Sequence, residues 1–405
     1  MRNARKPWAW LALLVVPTLL LAACGGGSGG AAKVSESGGR TASDVGVTAD
    51  TITIGTHIPL TGPVATSGIR LKPAFDAYVK YVNDNGGING RRLVLKIGDD
   101  AYAAPQTLSV ARKLVEQDKV FAIFHGYGTT PVKAAFDYLT EQKVPDMNMY
   151  TGTPVFTQPP QKYHFGLLPT YDQEGVVYAD YVNRTQPGAK VALLYQNDDF
   201  GKAYQVALKR NLGSSIVIEK TYETTDVDVM SQVAAMAKTK ADVVMCVCIF
   251  KPLAQFIKES HAMGWKPHIL AVQGVVNDTL VENVGKDLAE GVVADAFQPP
   301  STSSDPKILK MKDILAKYGG KETVFDDNAL IGLVSIELVV EMLRQAGTNP
   351  TRESLLQAAT TKTYEGTWYG EVQMSDQNHV ALSCHKMIKM QDGVVTPFGD
   401  VVCKS

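Results

Sequence analysis

The sequence predicts an α/β protein made of two doubly wound parallel-sheet lobes. Three observations predict it. Short apolar runs with strand character alternate with runs of helical period, the alternation begins a second series near Asp172, and Val45 to Ser405 is enough chain for two ordinary domains with sizeable cores.

The chain opens with Arg2, Arg5 and Lys6 and then an apolar run, Trp8 to Leu21, interrupted by Pro17. That suits a cleaved export signal over residues 1–23 better than a spanning helix. Leu21-Ala22-Ala23-Cys24 resembles the bacterial lipobox. The resemblance implies that Cys24 becomes an acylated first residue, so that the rest is exported and lipid-anchored on the outer face of the bacterial cell membrane. Residues 24–44, rich in Gly and Ser and free of apolar period, read as a flexible tether. Gly26-Gly27-Ser28-Gly29-Gly30 spells G-x-S-x-G, but neither the strand before nor the helix after that a nucleophile elbow needs is present.

The first lobe begins with a strand at Thr51 to Ile54. A helix follows Gly68, carrying Leu71, Phe75, Tyr78, Val79 and Val82 to a stop at Asn85-Gly86-Gly87. Leu93, Leu95 and Ile97 alternate as a strand. A helix with Leu108, Ala111 and Leu114 leads to the strand Val120 to Phe124, and one with Val132, Ala135 and Leu139 leads to Val144-Pro145. In the second lobe the strands are Val191 to Tyr195, Ser215 to Ile218, the run from Asp242, Ile269 to Val272, and Gly291 to Ala294. The helices between them follow Asp172 and Gly201, lie near Val233 to Ala237, and span Pro252 to Met263. Ligand sites of such sheets lie beyond the carboxyl ends of the strands, so two facing lobes would enclose a cleft.

Removing residues 1–23 takes away three positive charges from a chain of net charge −1. A weakly acidic protein without a basic stripe is a poor nucleic-acid binder, and no later apolar run reaches the ~20 residues of a membrane helix. Cys246 and Cys248, in a buried-strand spelling, read as small apolar side chains. Cys384 and Cys403 flank the turn signal Gln391-Asp392-Gly393, and export permits a disulfide between them.

The strongest local chemistry is His125-Gly126-Tyr127-Gly128-Thr129-Thr130-Pro131, between a strand and a helix. Thr130 reads as N-cap and Pro131 as first helical residue, so the free amides and hydroxyls there would hold a carboxylate. An ordinary turn that binds nothing is the competing reading. The half-match to G-x-G-x-x-G is weak, since Pro131 stands in place of the third glycine.

Pro59-Leu60-Thr61-Gly62-Pro63, Asn83-Asp84-Asn85-Gly86-Gly87-Ile88-Asn89-Gly90-Arg91, Asp99-Asp100, Val191 to Gly201 and Gly264-Trp265-Lys266-Pro267 together resemble the leucine/isoleucine/valine-binding class of bacterial solute-binding proteins. The likeness covers nearly the whole mature chain. It implies a Venus-flytrap: two lobes on a three-strand hinge, closing on a small molecule for the permease and ATPase subunits of an ABC importer, with no cofactor and no metal.

Carried over by position, the resemblance puts Tyr127, Gly128, Thr129, Thr130, Tyr150, Thr151 and Gly152 at the ligand carboxylate, and Tyr171, Phe200 and Phe250 on the second lobe's walls. Gly152 stands where a threonine is common, implying one hydrogen bond fewer to the ligand. Ser67 stands where an aromatic often covers the ligand, implying a roomier pocket. Gln273 stands where amino-acid binders usually carry an acid for the ligand ammonium. Losing that charge-assisted bond would cost ~1.5–3 kcal/mol, about tenfold to a hundredfold in affinity. The ligand is therefore expected to lack a free α-ammonium and to be an aromatic or aliphatic carboxylate, unless Asp198 or Asp199 reaches the ammonium instead.

Catalysis is not expected. The seven histidines show no metal-motif spacing, with His379 and His385 assigned to a C-terminal hairpin, and the paired acids Asp99-Asp100 and Asp198-Asp199 fall in loops the resembled family uses structurally or at the rim. A receptor that signals instead of delivering cargo is the alternative output. Crossings between lobes are expected near Leu168 to Tyr171, Asp295 to Gln298 and Trp368 to Met374, which divides the chain into 45–169 plus 298–369 and 170–297 plus 370–405.

Overall fold

The computed structural model describes residues 39–403, so the export signal, Cys24 and most of the tether lie outside the described residues. Lobe 1 begins β1 (Thr51–Ile58), α1 (Ala65–Asp84), β2 (Arg92–Asp99), α2 (Ala104–Arg112), β3 (Ala122–Phe124), α3 (Thr129–Glu141), β4 (Asp146–Met149) and β5 (His164–Gly166). Its strands are parallel in the order β2-β1-β3-β4-β5.

Lobe 2 follows as α4 (Tyr171–Thr185), β6 (Val191–Gln196), α5 (Asp199–Leu212), β7 (Ile216–Tyr222), α6 (Met230–Ala237), β8 (Val243–Val247), α7 (Phe250–Ala262), β9 (His268–Ala271), α8 (Asp278–Val284), α9 (Lys286–Ala289) and β10 (Val293–Ala296). Its parallel order, β7-β6-β8-β9-β10, repeats that of lobe 1 strand for strand. β8 is buried along its whole length, as a central parallel strand covered on both faces must be.

The chain then returns to lobe 1 as α10 (Pro306–Tyr318), α11 (Asp327–Gln345) and α12 (Arg352–Thr361). Ile308, Leu333 and Leu355 from these helices share one core with Ile54, Phe75 and Phe124. α11 is apolar nearly all round because it runs through the middle of that core. A small ribbon, β11 (Thr363–Tyr364) with β12 (Val372–Gln373), precedes the hairpin β13 (Cys384–Gln391) and β14 (Val394–Cys403), which extends the lobe 2 sheet antiparallel to β10.

Core membership locates the crossings among the described residues. Leu168 packs in lobe 1 and Tyr171 in lobe 2, and Ala296 in lobe 2 and Phe297 in lobe 1. The third lies later than Trp368 to Met374. Val372, Met374, Ala381 and Leu382 all belong to the lobe 1 core, and Ala381 and Leu382 donate to the carbonyls of Gly166 and Leu167 beside β5. The chain leaves lobe 1 only between Leu382 and Cys384. His379 accordingly sits in lobe 1, stacked on Phe165 at 4.1 Å, and only His385 is on the hairpin.

Two further readings are corrected. Cys246 and Cys248 are bridged to each other, with Cα atoms 5.2 Å apart, because residues two apart at a strand end present side chains to the same face. α3 starts two residues earlier than expected: Gly128, at φ 91°, is the N-cap, so Thr130 is the second and Pro131 the third helical residue, where a missing N–H still leaves no bond unmade. Cys384 and Cys403 face each other in the hairpin register and are also bridged.

The segment that carries much of the family likeness is a structural pin. Gly87, at φ 72°, brings its Cα against the Arg91 carbonyl, and Asn89 donates to the Arg344 and Gly347 carbonyls at 3.0 Å each. The buried Arg91 guanidinium donates to the carbonyls of Thr48 (2.7 Å), Thr41 (2.9 Å) and Thr348 and to Asn349 Oδ1 (2.9 Å). Residues 41–44, read from sequence as the end of the tether, are docked on lobe 1. The Thr41 amide donates to Asn349 Oδ1, Ser43 to the Pro350 carbonyl, and the Arg352 amide to Asp44.

Candidate functional site

In both sheets the winding reverses between the first and third strands, so the loops leaving β1 and β3, and those leaving β6 and β8, diverge at their carboxyl ends. The two crevices face each other. Together they form a cleft of about 600 Å³, counting its mouth, to which Val64, Tyr127 and Gly128 contribute from one lobe and Phe200, Cys248 and Ile249 from the other.

The walls are mostly aromatic. Tyr127 stacks on Tyr150 with centroids 4.9 Å apart, and Tyr150 stacks on the buried His125 at the same distance. Opposite them Tyr171 stacks on Tyr204 at 4.4 Å, with Phe200 edge-on to both. Burial raises the hydroxyls of Tyr102, Tyr150 and Tyr204 well above their ordinary range and that of Tyr171 to about 12, so all enter the cleft as neutral hydrogen-bonding groups. Burial also pushes His125 down to about 3, leaving a neutral ring under the floor.

Of the residues nominated from sequence, Tyr127, Gly128, Thr129, Tyr150, Tyr171, Phe200 and Gln273 line the cleft. Ser67, Thr130, Thr151, Gly152 and Phe250 do not. Ser67 lies behind the wall, accepting from the Tyr127 hydroxyl at 3.1 Å, so the space expected at that position is filled by Tyr127. Thr151 is buried in a hydroxyl cluster with Thr129 (2.8 Å) and Thr153 (3.2 Å). Gly152 sits under Tyr171, whose amide donates to its carbonyl at 2.7 Å. Phe250 turns into an adjoining hollow beside Pro63 and Lys251.

Thr130 has a different task. Its hydroxyl donates across the lobes to Asp198 Oδ2 at 2.9 Å, while Lys133 pairs with Asp199. Asp198 also caps α5, accepting from the amides of Phe200 and Gly201. These acids thus face the rim and the opposite lobe, and neither lines the cleft. Asp99 and Asp100 are likewise occupied: Asp99 accepts from the Leu60 and Thr61 amides, and Asp100 pairs with His57 at 2.9 Å.

Sequence reasoning missed Tyr102, Glu174, Tyr204 and Phe297. Tyr102 lies against Gly128, where a Cβ would stand 2.4 Å from its ring. The glycine spelling of the 125–131 loop signals that close approach without saying what approaches. Glu174 is the acidic side chain lining the cleft. Gln273 is neutral and receives the Tyr150 hydroxyl at a long 3.4 Å.

A family model described as "Periplasmic binding protein" matches residues 51–394. A protein from Brucella abortus (strain 2308), "Leu/Ile/Val-binding protein homolog 1", is 25% identical over 347 residues, 84% of this chain and 91% of that protein. Among solved structures, a branched-chain amino acid ABC transporter protein from Thermus thermophilus with bound valine superposes with a TM-score of 0.79 at 20% identity, covering 88% of this chain and 97% of its own. A solute binding protein of an ABC transporter from Rhodopseudomonas palustris BisB5, in complex with 3,4-dihydroxy benzoic acid, gives 0.76 at 20% identity, covering 87% and 98%.

Proposed function

The chain belongs to the periplasmic binding protein family, and from that premise we propose that it is the lipid-anchored substrate-binding protein of a branched-chain amino acid-type ABC importer. It captures a small carboxylate-bearing ligand between closing lobes and passes it to the permease and ATPase subunits. The observation that carries this reading is the cleft itself, set at the switch points of both sheets, walled by aromatic rings and bordered by Gly128 and Thr129 at the start of α3. The helix's first turn favours an anion there.

The ligand class follows from Gln273. With an amide instead of an acid facing Tyr150, an α-ammonium would be left without its usual partner, so an aromatic or aliphatic organic acid fits best. The valine-bound and dihydroxybenzoate-bound relatives show that both ligand classes occur on this fold. An ordinary branched-chain amino acid is the second reading, favoured by the presence of Glu174 in the cleft.

The test is thermal unfolding of the chain lacking residues 1–24 against leucine, valine, benzoate, 3,4-dihydroxybenzoate and 4-methylpentanoate. A ligand at ~1,000 times its dissociation constant stabilises the folded state by about 4 kcal/mol and raises the midpoint. Shifts with the acids alone support the organic-acid reading. Shifts with leucine or valine alone replace it with the amino-acid reading, and no shift with any compound sinks both.

Closure makes its own prediction. Thr130→Val removes the interlobe bond to Asp198 and leaves the α5 cap intact. A bond to a charged group contributes ~1.5 kcal/mol or more, so the affinity for whichever compound binds is expected to fall roughly tenfold by calorimetry, with the melting temperature unchanged. Unchanged affinity would show that this bond plays no part in closure.

A further inference from the structure

Glu174 projects from the first turns of α4, whose start is fixed by a capping box between Thr170 and Gln173. It is 1% exposed. Gly175 beside it lets α5 approach so closely that a Cβ there would stand 2.5 Å from that of Ala207. The Tyr204 hydroxyl on α5 donates to Glu174 Oε2 at 2.5 Å, while Oε1 is buried with no hydrogen-bond partner.

The titratable groups around Glu174 offer no donor to that oxygen. Asp295 on β10 is committed through Oδ2 to His385 on β13 at 2.5 Å. The Tyr178 hydroxyl is committed to the Ala271 carbonyl, and those of Tyr150 and Tyr171 turn towards Gln273 and Thr151. No lysine or arginine lines the cleft among the described residues. Burial first, and the Asp295 carboxylate second, hold Glu174 well above the usual carboxylate range. An acceptor left unmade in such a place is costly, and Glu174 lines the cleft, where a ligand can supply a donor.

We propose that Glu174 is a specificity-determining residue, its Oε1 accepting a hydrogen bond from a donor on the bound ligand, either an ammonium or a hydroxyl. This rests on the ligand-capturing reading of the cleft. It also refines the Gln273 argument: the acid that amino-acid binders were expected to carry at position 273 has a counterpart on the opposite side of the lobe 2 wall, on α4 instead of after β9.

Titration calorimetry on the wild type and E174Q with two matched pairs tests it: leucine with 4-methylpentanoate, and 4-hydroxybenzoate with benzoate. Each pair differs by one donor. The wild type is expected to bind the donor-bearing member of one pair about tenfold more tightly, and E174Q to lose most of that preference. The pair that responds identifies the donor. A preference equal in both proteins, or no preference in a wild type that does bind, overturns the inference and leaves the cleft reading standing. A wild type that binds none of the four overturns the cleft reading as well.

Should E174Q fail to fold, the pH profile of the wild type decides. Glu174, held above the ordinary carboxylate range, must shed its proton to accept from an ammonium, so the affinity for leucine rises with pH above that range while that of 4-methylpentanoate stays flat. Parallel profiles for leucine and 4-methylpentanoate overturn the ammonium form of the inference, and equal affinities for 4-hydroxybenzoate and benzoate overturn the hydroxyl form.

Discussion

Arg91→Met is expected to lower the stability of the chain by about 3–5 kcal/mol, read as a fall in the urea midpoint with an unchanged slope. The side chain is 0% exposed, and its guanidinium satisfies three backbone carbonyls and one amide oxygen drawn from three separate stretches of lobe 1. Methionine fills similar volume but donates nothing, so the one charged donor that joins these stretches is lost. Bonds to a charged donor contribute ~1.5–3 kcal/mol each, though not additively because they share one group. The exposed neighbour serves as control: Arg92→Met should stay within about 0.5 kcal/mol. No loss at Arg91 would mean that solvent reaches those carbonyls and that the pin is dispensable.

Gly152→Thr is expected to cost ~3 kcal/mol or more and to abolish ligand binding. From sequence, glycine at this position reads as a missing hydroxyl, one that threonine would restore to the ligand. The packing inverts that reading. A Cβ on residue 152 would stand 2.3 Å from the Pro169 carbonyl oxygen and 2.7 Å from the Tyr171 ring. Tyr171 is seated there by its own amide bond to the Gly152 carbonyl and by its stack on Tyr204, so a threonine must drive the ring out of the cleft wall. Denaturation and calorimetry on the same sample separate the two effects. A stable variant that binds more tightly would restore the simpler interpretation.

Much of the architecture was legible because strand and helix periods are local signals. The all-apolar spelling of Val243–Val247 and the long apolar stripe of α11 each announce burial without reference to anything distant. The third crossing was not legible. It depends on residues 380–382 lying alongside Gly166 and Leu167, a pairing more than two hundred residues apart in sequence that leaves no local pattern. Thr130 illustrates a different failure. The N-cap preference for threonine is sound, but Gly128 takes the cap with a positive φ that the sequence does not single out among several glycines.

The site divides the same way. The loop that follows β3 was found because a strand, a turn and a helix start in succession mark a switch-point loop, whereas the loop after β4 was found only through the resemblance carried over by position. Tyr102 escaped because it sits at φ 59° in a turn that holds no glycine. Glu174 escaped because an acid in the first turns of a helix, here alongside Asp172, ordinarily complements the helix dipole in water. Only the wedging of α4 against α5 makes it a buried group.

The docking of residues 41–44 decides which half of the molecule is the stator. Every hydrogen bond that secures this segment ends on lobe 1, at Asn349, Pro350, Arg91 and Arg352. A pull transmitted along the upstream chain therefore loads lobe 1 and leaves lobe 2 as the rotor, free to swing on its crossings. If the chain is anchored as proposed, opening and closing become a displacement of lobe 2 relative to the membrane, and its outer surface is where a neighbouring subunit would sense that the jaws have shut.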